Sequence, residues 1–438
     1  MADAIIVVDL GFGDAGKGTI VDFLARASRA HAVVRFNGGP QAGHNVVTPD
    51  GRHHTFAQFG SGTFVHGVRT LLSRFMLVEP YALLNEAAHL AEVGVDDALD
   101  RLAIDERCVV ITPAHQAANR LRELARGAAA HGTCGLGIGE TMADALASRE
   151  HLLRAGELRD GKLVREKLVA ASRQKLAECE QAIDAMRSAP QAAACAATLR
   201  DPTWIDAALE NYAAVAEHAA IVSAGQANAA LSGQGTVIFE GAQGVLLDEN
   251  FGFHPHTTWS TTTAANADAL LDESGFAGLR RRIGVLRTYA TRHGTGPLVT
   301  EETTLRAALP EAHNRDDGWQ GAFRIGPLDL VATRYALAVC PAGELAVTHL
   351  DRLPALPRRV CVAYEDAGVR FESLDVLPSD DPAERARFTA RMRDVRPVYS
   401  DVVTATWEEF VTRVEAETGV PVTLTSFGPT PDQKKPRP

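Results

Sequence analysis

No two of the six cysteines (Cys108, Cys134, Cys179, Cys195, Cys340 and Cys361) stand at a close zinc-ligand spacing. A zinc site built on cysteine pairs is excluded, and scattered thiols suit a reducing compartment where they stay free. No apolar run approaches the ~20 residues that a membrane-spanning helix needs, and the first residues enter a strand-like run without a basic leader. The expectation is a cytoplasmic protein with no membrane partner. Positive charge is short too: 44 Lys and Arg against 55 Asp and Glu give a net charge of -11 and a pI near 5.8. Counterion release requires a basic surface, so a nucleic acid is excluded as the main partner, while a compact phosphate ligand remains compatible. Internal repeats and linkers rich in Gly, Ser or Pro are also missing. The 438 residues therefore read as one large domain rather than separate units.

What is present is a series of short β-branched runs at residues 4–10, 32–36, 109–112, 236–240, 283–289, 345–350, 360–364 and 421–425, separated by helical or irregular sequence. That alternation predicts an α/β fold of P-loop type around a central, mostly parallel sheet. Between about 114 and 231 the composition turns to Ala, Leu, Glu and Arg at helical spacing, which predicts a helical subdomain. The domain is expected to span 1–428. Residues 429–438 carry too much proline and charge to bury a core and are expected to fray.

The chemistry-bearing signal is Gly11-Phe-Gly-Asp-Ala-Gly-Lys17-Gly-Thr19, placed between the first strand-like run and a helix-like stretch. Small residues there free backbone N–H groups, the new helix adds the positive end of its dipole, and Lys17 adds a full charge, so Gly13, Gly16, Lys17 and Gly18 are candidates for holding phosphate. Gly18 stands where a magnesium-binding hydroxyl usually follows the lysine. Asp14 is the more telling residue. A carboxylate beside phosphates costs repulsion unless it binds a metal or takes a proton.

Further segments join this loop: Asn37-Gly-Gly-Pro-Gln-Ala-Gly-His44, Gly132-Thr-Cys-Gly-Leu-Gly-Ile-Gly139, Phe239-Glu-Gly-Ala-Gln-Gly-Val-Leu-Leu-Asp248, Tyr289-Ala-Thr-Arg-His-Gly-Thr-Gly-Pro297, Thr348-His-Leu-Asp351 and Ser426-Phe-Gly-Pro429. Together, and in order over nearly the whole chain, they resemble the adenylosuccinate synthetase family. The resemblance implies a homodimeric C–N ligase that uses GTP and Mg²⁺ and joins an amino-acid donor to a small-molecule acceptor. In the family the acceptor is inosine monophosphate and the donor L-aspartate; the base oxygen is phosphorylated first and the amine then displaces phosphate. Carried over by position, Asp14 is the base and a metal ligand, and Gly43 is the second metal position through its carbonyl. His44 offsets charge on the transferred phosphoryl, and Lys17 rides on the nucleotide phosphates. Asp351, with Ser426 and Gly428, receives guanine in preference to adenine, ATP being the alternative because His349 replaces a family lysine. Gln41, Thr133, Cys134, Gln243, Phe253, Arg292 and Arg324 fall at acceptor or donor positions.

The chain departs from the family where the substrates' anionic groups are held. Cys134 and Leu136 replace a hydroxyl and an arginine, Gln41 an asparagine and Phe253 a threonine. Ser148 aligns with an arginine given across the dimer, with Arg149 one residue on. A run of four arginines is reduced to Arg324 in the stretch from Gly318 to Gly326. Losing three charge-assisted hydrogen bonds weakens phosphate binding at least about a thousandfold. The expectation is a working ligase with a changed acceptor. The alternatives are a genuine adenylosuccinate synthetase and a catalytically silent nucleotide-binding partner.

Overall fold

The apolar run near the N-terminus forms strand Asp3–Asp9, which occupies the middle of a ten-stranded sheet and is buried along almost its whole length. Burial on both faces is what a run without polar alternation requires. On one side lie Arg280–Arg287, Glu344–Thr348, Val422–Ser426 and Lys434–Pro436; on the other lie Thr236–Glu240, Ala30–Arg35, Arg69–Leu72, Leu102–Asp105 and Ala220–Val222. Every pairing is parallel except that of Lys434–Pro436 with Val422–Ser426. This computed structural model describes residues 3–127, 130–186, 188–233, 235–311, 319–376, 381–401 and 406–437.

The α/β class and the mostly parallel sheet agree with the sequence. Among the described residues, six α-helices lie between 113 and 231: Pro113–Arg126, Ile138–Leu146, Gly161–Ala185, Pro190–Arg200, Trp204–His218 and Ala224–Leu231. The edge strand Ala220–Val222 interrupts this helical stretch; its three residues are too few to show a period of two. The run at 360–364 pairs not in the main sheet but in a separate antiparallel one, Arg359–Asp366 between Val369–Phe371 and Arg396–Asp401.

Strand register determines where chemistry can occur. Val7 pairs with Glu240, Glu240 with Arg35, Asp9 with Val285, and Arg287 with Thr348, so Asp9, Arg35, Glu240, Arg287 and Thr348 all end their strands at the carboxyl edge of the sheet. Ligands of open parallel sheets bind outside that edge.

The tail corrects the sequence expectation. Lys434–Pro436 adds the antiparallel edge strand, and buried Lys434 donates from Nζ to the carbonyls of Gly428 (2.6 Å) and Thr430 (3.1 Å). Edge strands tolerate proline because only one side of the strand pairs, and the lysine reaches oxygens that the turn leaves unsatisfied. Lys434→Ala should orphan these carbonyls at a cost of about 1–3 kcal/mol. A lowered thermal midpoint is the expected reading.

Candidate active site

The glycine-rich turn is organised by a residue just outside it. The Asp9 carboxylate accepts from the N–H of Gly11 (2.8 Å), the N–H of Ala15 (2.9 Å) and Nζ of Lys17 (2.9 Å), the last two in a buried setting. Lys17 Nζ also donates to the carbonyl of Gln243 at 2.6 Å, which ties the turn to the segment after strand Thr236–Glu240. Gly13, Asp14 and Gly16 take positive φ values of 93°, 59° and 87°, so the chain curls and enters helix Lys17–Ala27 with no side chain capping the N-terminus. Uncapped first-turn N–H groups are an anion site. Gly18 has its own steric reason: a Cβ there would stand 2.8 Å from the Cβ of His44. The helix start must close on His44, and that excludes a side chain at this position.

His44 is held from behind. Its Nδ1 lies 2.6 Å from Oε1 of Glu240, whose carboxylate also accepts from the backbone N–H of Ser61 (2.8 Å) and from the Ser61 hydroxyl. Burial pushes the imidazole down to about 4, against the opposing pull of Glu240. Glu240 is held down to about 2; burial opposes this, but Arg35, His44 and Ser61 prevail. At neutral pH the carboxylate is therefore charged and the ring neutral, with the proton on Nδ1 facing Glu240 and Nε2 on the other side of the ring.

Asp14 lines the same cleft as His44 and Lys17. Its carbonyl accepts from Arg287 (3.0 Å), and its carboxylate lies 3.7 Å from Nε2 of His293. Burial raises its pKa above the ordinary 3.8, with His293, Arg287 and Lys17 pulling the other way.

The cleft encloses about 720 Å³ and brings together Gly13, Asp14, Gly16, Lys17, Gly18, Gln41, Gly43, His44, Thr133, Cys134, Gln243, Arg292, Asp351, Ser426 and Gly428. The side-chain amides of Gln41 and Gln243 are buried and have no hydrogen-bond partner among the described residues. A buried amide left unpaired in a cleft wall is a place for a ligand. Arg292 is present but committed: it donates to the carbonyls of Thr295, Pro297 and His256 and lies over the ring of Phe12.

Two sequence expectations are corrected. Phe253 turns into the core, stacked on Phe388 at 5.7 Å and near Phe12 and Tyr335. An aromatic ring gains more from that burial than from facing phosphate. Arg324 does not line the cleft, because its guanidinium donates to the Gly296 carbonyl and pairs with Glu301. Gly318 lies outside the described residues. Asp9 and Glu240 were not singled out from the sequence, yet a signal existed: each is an acidic residue closing an apolar run, Ala4–Val8 or Val237–Phe239, just before a glycine-rich turn.

The adenylosuccinate synthetase family model matches residues 6–434. The chain belongs to the adenylosuccinate synthetase family. It is 31% identical to the adenylosuccinate synthetase of Desulfovibrio desulfuricans over 97% of both chains. With that of Methylococcus capsulatus the identity is 33% over 98% of this chain and 96% of the relative. The fold matches the fully ligated adenylosuccinate synthetase of Plasmodium falciparum, with a TM-score of 0.76 and 22% identity over 99% of each chain. Cyanophage S-2L succinoaminodeoxyadenylate synthetase, solved with dGMP and dATP bound, gives 0.62 and 18% over 100% and 96%. Members of the adenylosuccinate synthetase family are ligases that form C–N bonds, and no described helix is long and apolar enough to cross a membrane.

Glu240→Gln should leave nucleotide binding intact while lowering kcat by roughly 10²–10³-fold, the cost of misplacing one preorganised group at a developing charge. Steady-state kinetics with a circular-dichroism check on folding would read this.

Proposed function

We propose that this protein is a GTP- and Mg²⁺-dependent C–N ligase that transfers the γ-phosphoryl of GTP to an oxo or amide oxygen of an acceptor other than inosine monophosphate. The amine of aspartate or a related amino acid then displaces phosphate, so GTP leaves as GDP and inorganic phosphate. The observation that carries this reading is the convergence of Asp14, Lys17 and His44 on one cleft at the carboxyl edge of the sheet. A silent nucleotide-binding partner would have no need of a carboxylate inside its phosphate loop.

Each residue has a physical task. The Asp14 carboxylate takes the proton from the acceptor's amide nitrogen, which makes the oxygen a better nucleophile. Lys17 lies at the phosphate end and offsets anionic charge on the nucleotide. An arriving polyphosphate raises the pKa of His44; with Glu240 holding Nδ1–H, the gained proton sits on Nε2 and meets the transferred phosphoryl oxygens. Asp351 accepts the ring N–H and exocyclic amine that guanine offers and adenine does not. The cleft fits a magnesium ion: the Asp14 carboxylate and the Gly43 carbonyl line it together and would hold the ion. Bound magnesium supplies charge neutralisation at the phosphates. The family resemblance supports a homodimer.

The test is phosphate release by the purified protein with Mg²⁺, GTP and L-aspartate, with inosine monophosphate or non-phosphorylated oxo and amide compounds as acceptor, omitting each component in turn. Release should require a non-phosphorylated acceptor; turnover that requires inosine monophosphate would refute the changed-acceptor reading. Asp14→Asn should lower the rate by about 10²–10⁴-fold.

The active form of Asp14 is the ionised one and burial raises its pKa. Activity should therefore rise with pH on the acid side, through a value above 3.8, and then level off. A kcat/KM profile whose acid limb persists unchanged in Asp14→Asn would assign that limb to another group.

A further inference from the structure

The far end of the cleft, between the loop at 131–139 and Trp259, differs in kind from the nucleotide end. Four backbone donors of the loop are already engaged. The Glu123 carboxylate accepts from the N–H groups of His131 (3.2 Å), Gly132 (2.9 Å) and Thr133 (3.0 Å), and Asn119 accepts from that of Gly137 (3.3 Å). Its cations are engaged as well. Arg126 pairs with Glu123 at 2.7 Å, while Arg122 pairs with Glu140 at 3.0 Å and with Glu178 at 2.9 Å. Behind them, Lys175 is fixed to Asp144 at 2.8 Å. A phosphate dianion entering here would meet guanidinium groups already neutralised, and the Glu140 carboxylate in the cleft wall beside it.

Aromatic surface stands in place of free charge. Trp259, in the cleft wall, is 49% exposed and lies on the backbone of Gly139 in the first turn of helix Ile138–Leu146; Trp319, just outside the cleft lining, is 37% exposed and lies on that of Gly135. A Cβ at Gly139 would stand 3.1 Å from the indole of Trp259, and one at Gly135 2.9 Å from that of Trp319. Arg120 donates to the Gly135 carbonyl and lies 5.9 Å over the Trp319 ring, which steadies that indole. Cys134 and Ile138 add apolar wall beside Trp259.

We infer that this end of the cleft is an aromatic subsite that takes an uncharged, planar group of the acceptor, seated on Trp259, where the family places a phosphate. The inference rests on the ligase reading of the cleft and names the chemical class of its acceptor's far end: a flat, non-ionic group attached to an oxo- or amide-bearing ring. Stacking rewards any flat π-face, whereas a dianion is rewarded only by free donors and net positive charge.

The experiment is equilibrium binding by tryptophan fluorescence, with Mg²⁺ and a non-hydrolysable GTP analogue present, of three probes that share one base: inosine, inosine monophosphate and 5′-O-benzoylinosine. The benzoylated probe should bind at least about tenfold more tightly than inosine, the scale of one aromatic stack, and inosine monophosphate should show no advantage over inosine. Trp259→Ala should remove the advantage of the benzoyl group, and Trp259→Phe should keep most of it. Inosine monophosphate binding tightest would overturn the inference, as would equal binding of all three, binding of none, or a benzoyl advantage that survives Trp259→Ala. Binding of the GTP analogue, read separately, reports whether each variant is folded. Because no turnover is involved, failure of the ligase reading would appear instead as missing phosphate release with the probe order intact.

Discussion

The Asp9–Lys17 ion pair is the contact on which the rest of the site depends. A single buried carboxylate takes two turn N–H groups and one ammonium, and so fixes the curl of the loop, the start of helix Lys17–Ala27 and the position of the lysine. Removing one partner of a buried pair strands the other charge, so neither residue is replaceable alone. The second bond of Lys17, to the Gln243 carbonyl, extends this constraint to the neighbouring strand end. Phosphates bound as proposed would therefore compete for an ammonium that is already satisfied. The gain from binding must come from additional donors, which the uncapped helix start supplies.

A second carboxylate does at His44 what Asp9 does at Lys17. Glu240 is charged because Arg35 lies near it and Ser61 donates to it, and it in turn sets which nitrogen of His44 carries the proton. Both carboxylates end parallel strands that are buried on both faces. The sheet thus places two anions behind two groups of the cleft wall, and each cation or proton is positioned by a rigid element instead of a loop.

Much of this was legible in the sequence, and the limits have physical reasons. Glycine spacing announces a loop because glycine takes positive φ without steric cost, as Gly13 and Gly16 do. The roles of Asp9 and Glu240 were harder to see: Glu240 meets His44 and Ser61 across nearly two hundred residues of chain, and no local pattern encodes that approach. Phe253 and Arg324 show the opposite failure. A position matched to a family supplies a residue's identity but not the direction of its side chain, and a changed residue turns toward whatever suits its own chemistry, core for the ring and carbonyl oxygens for the guanidinium. The tail misled through composition, since proline and lysine that look unburiable in sequence suit an edge strand with a buried ammonium.

The two ends of the cleft differ in how freely they can change. Asp9, Arg35, Glu240, Arg287 and Thr348 sit at strand ends whose register is set by burial on both faces, so altering one disturbs the sheet as well as the chemistry. Cys134 and Trp259 sit on connecting segments, where a substitution leaves sheet pairing untouched. The proposed reaction type and acceptor choice would therefore be carried by physically separate parts of the molecule. On the proposed reading, a chain that keeps the first and rewrites the second would retain phosphoryl transfer while changing what receives it, and Cys134 falls on that second part.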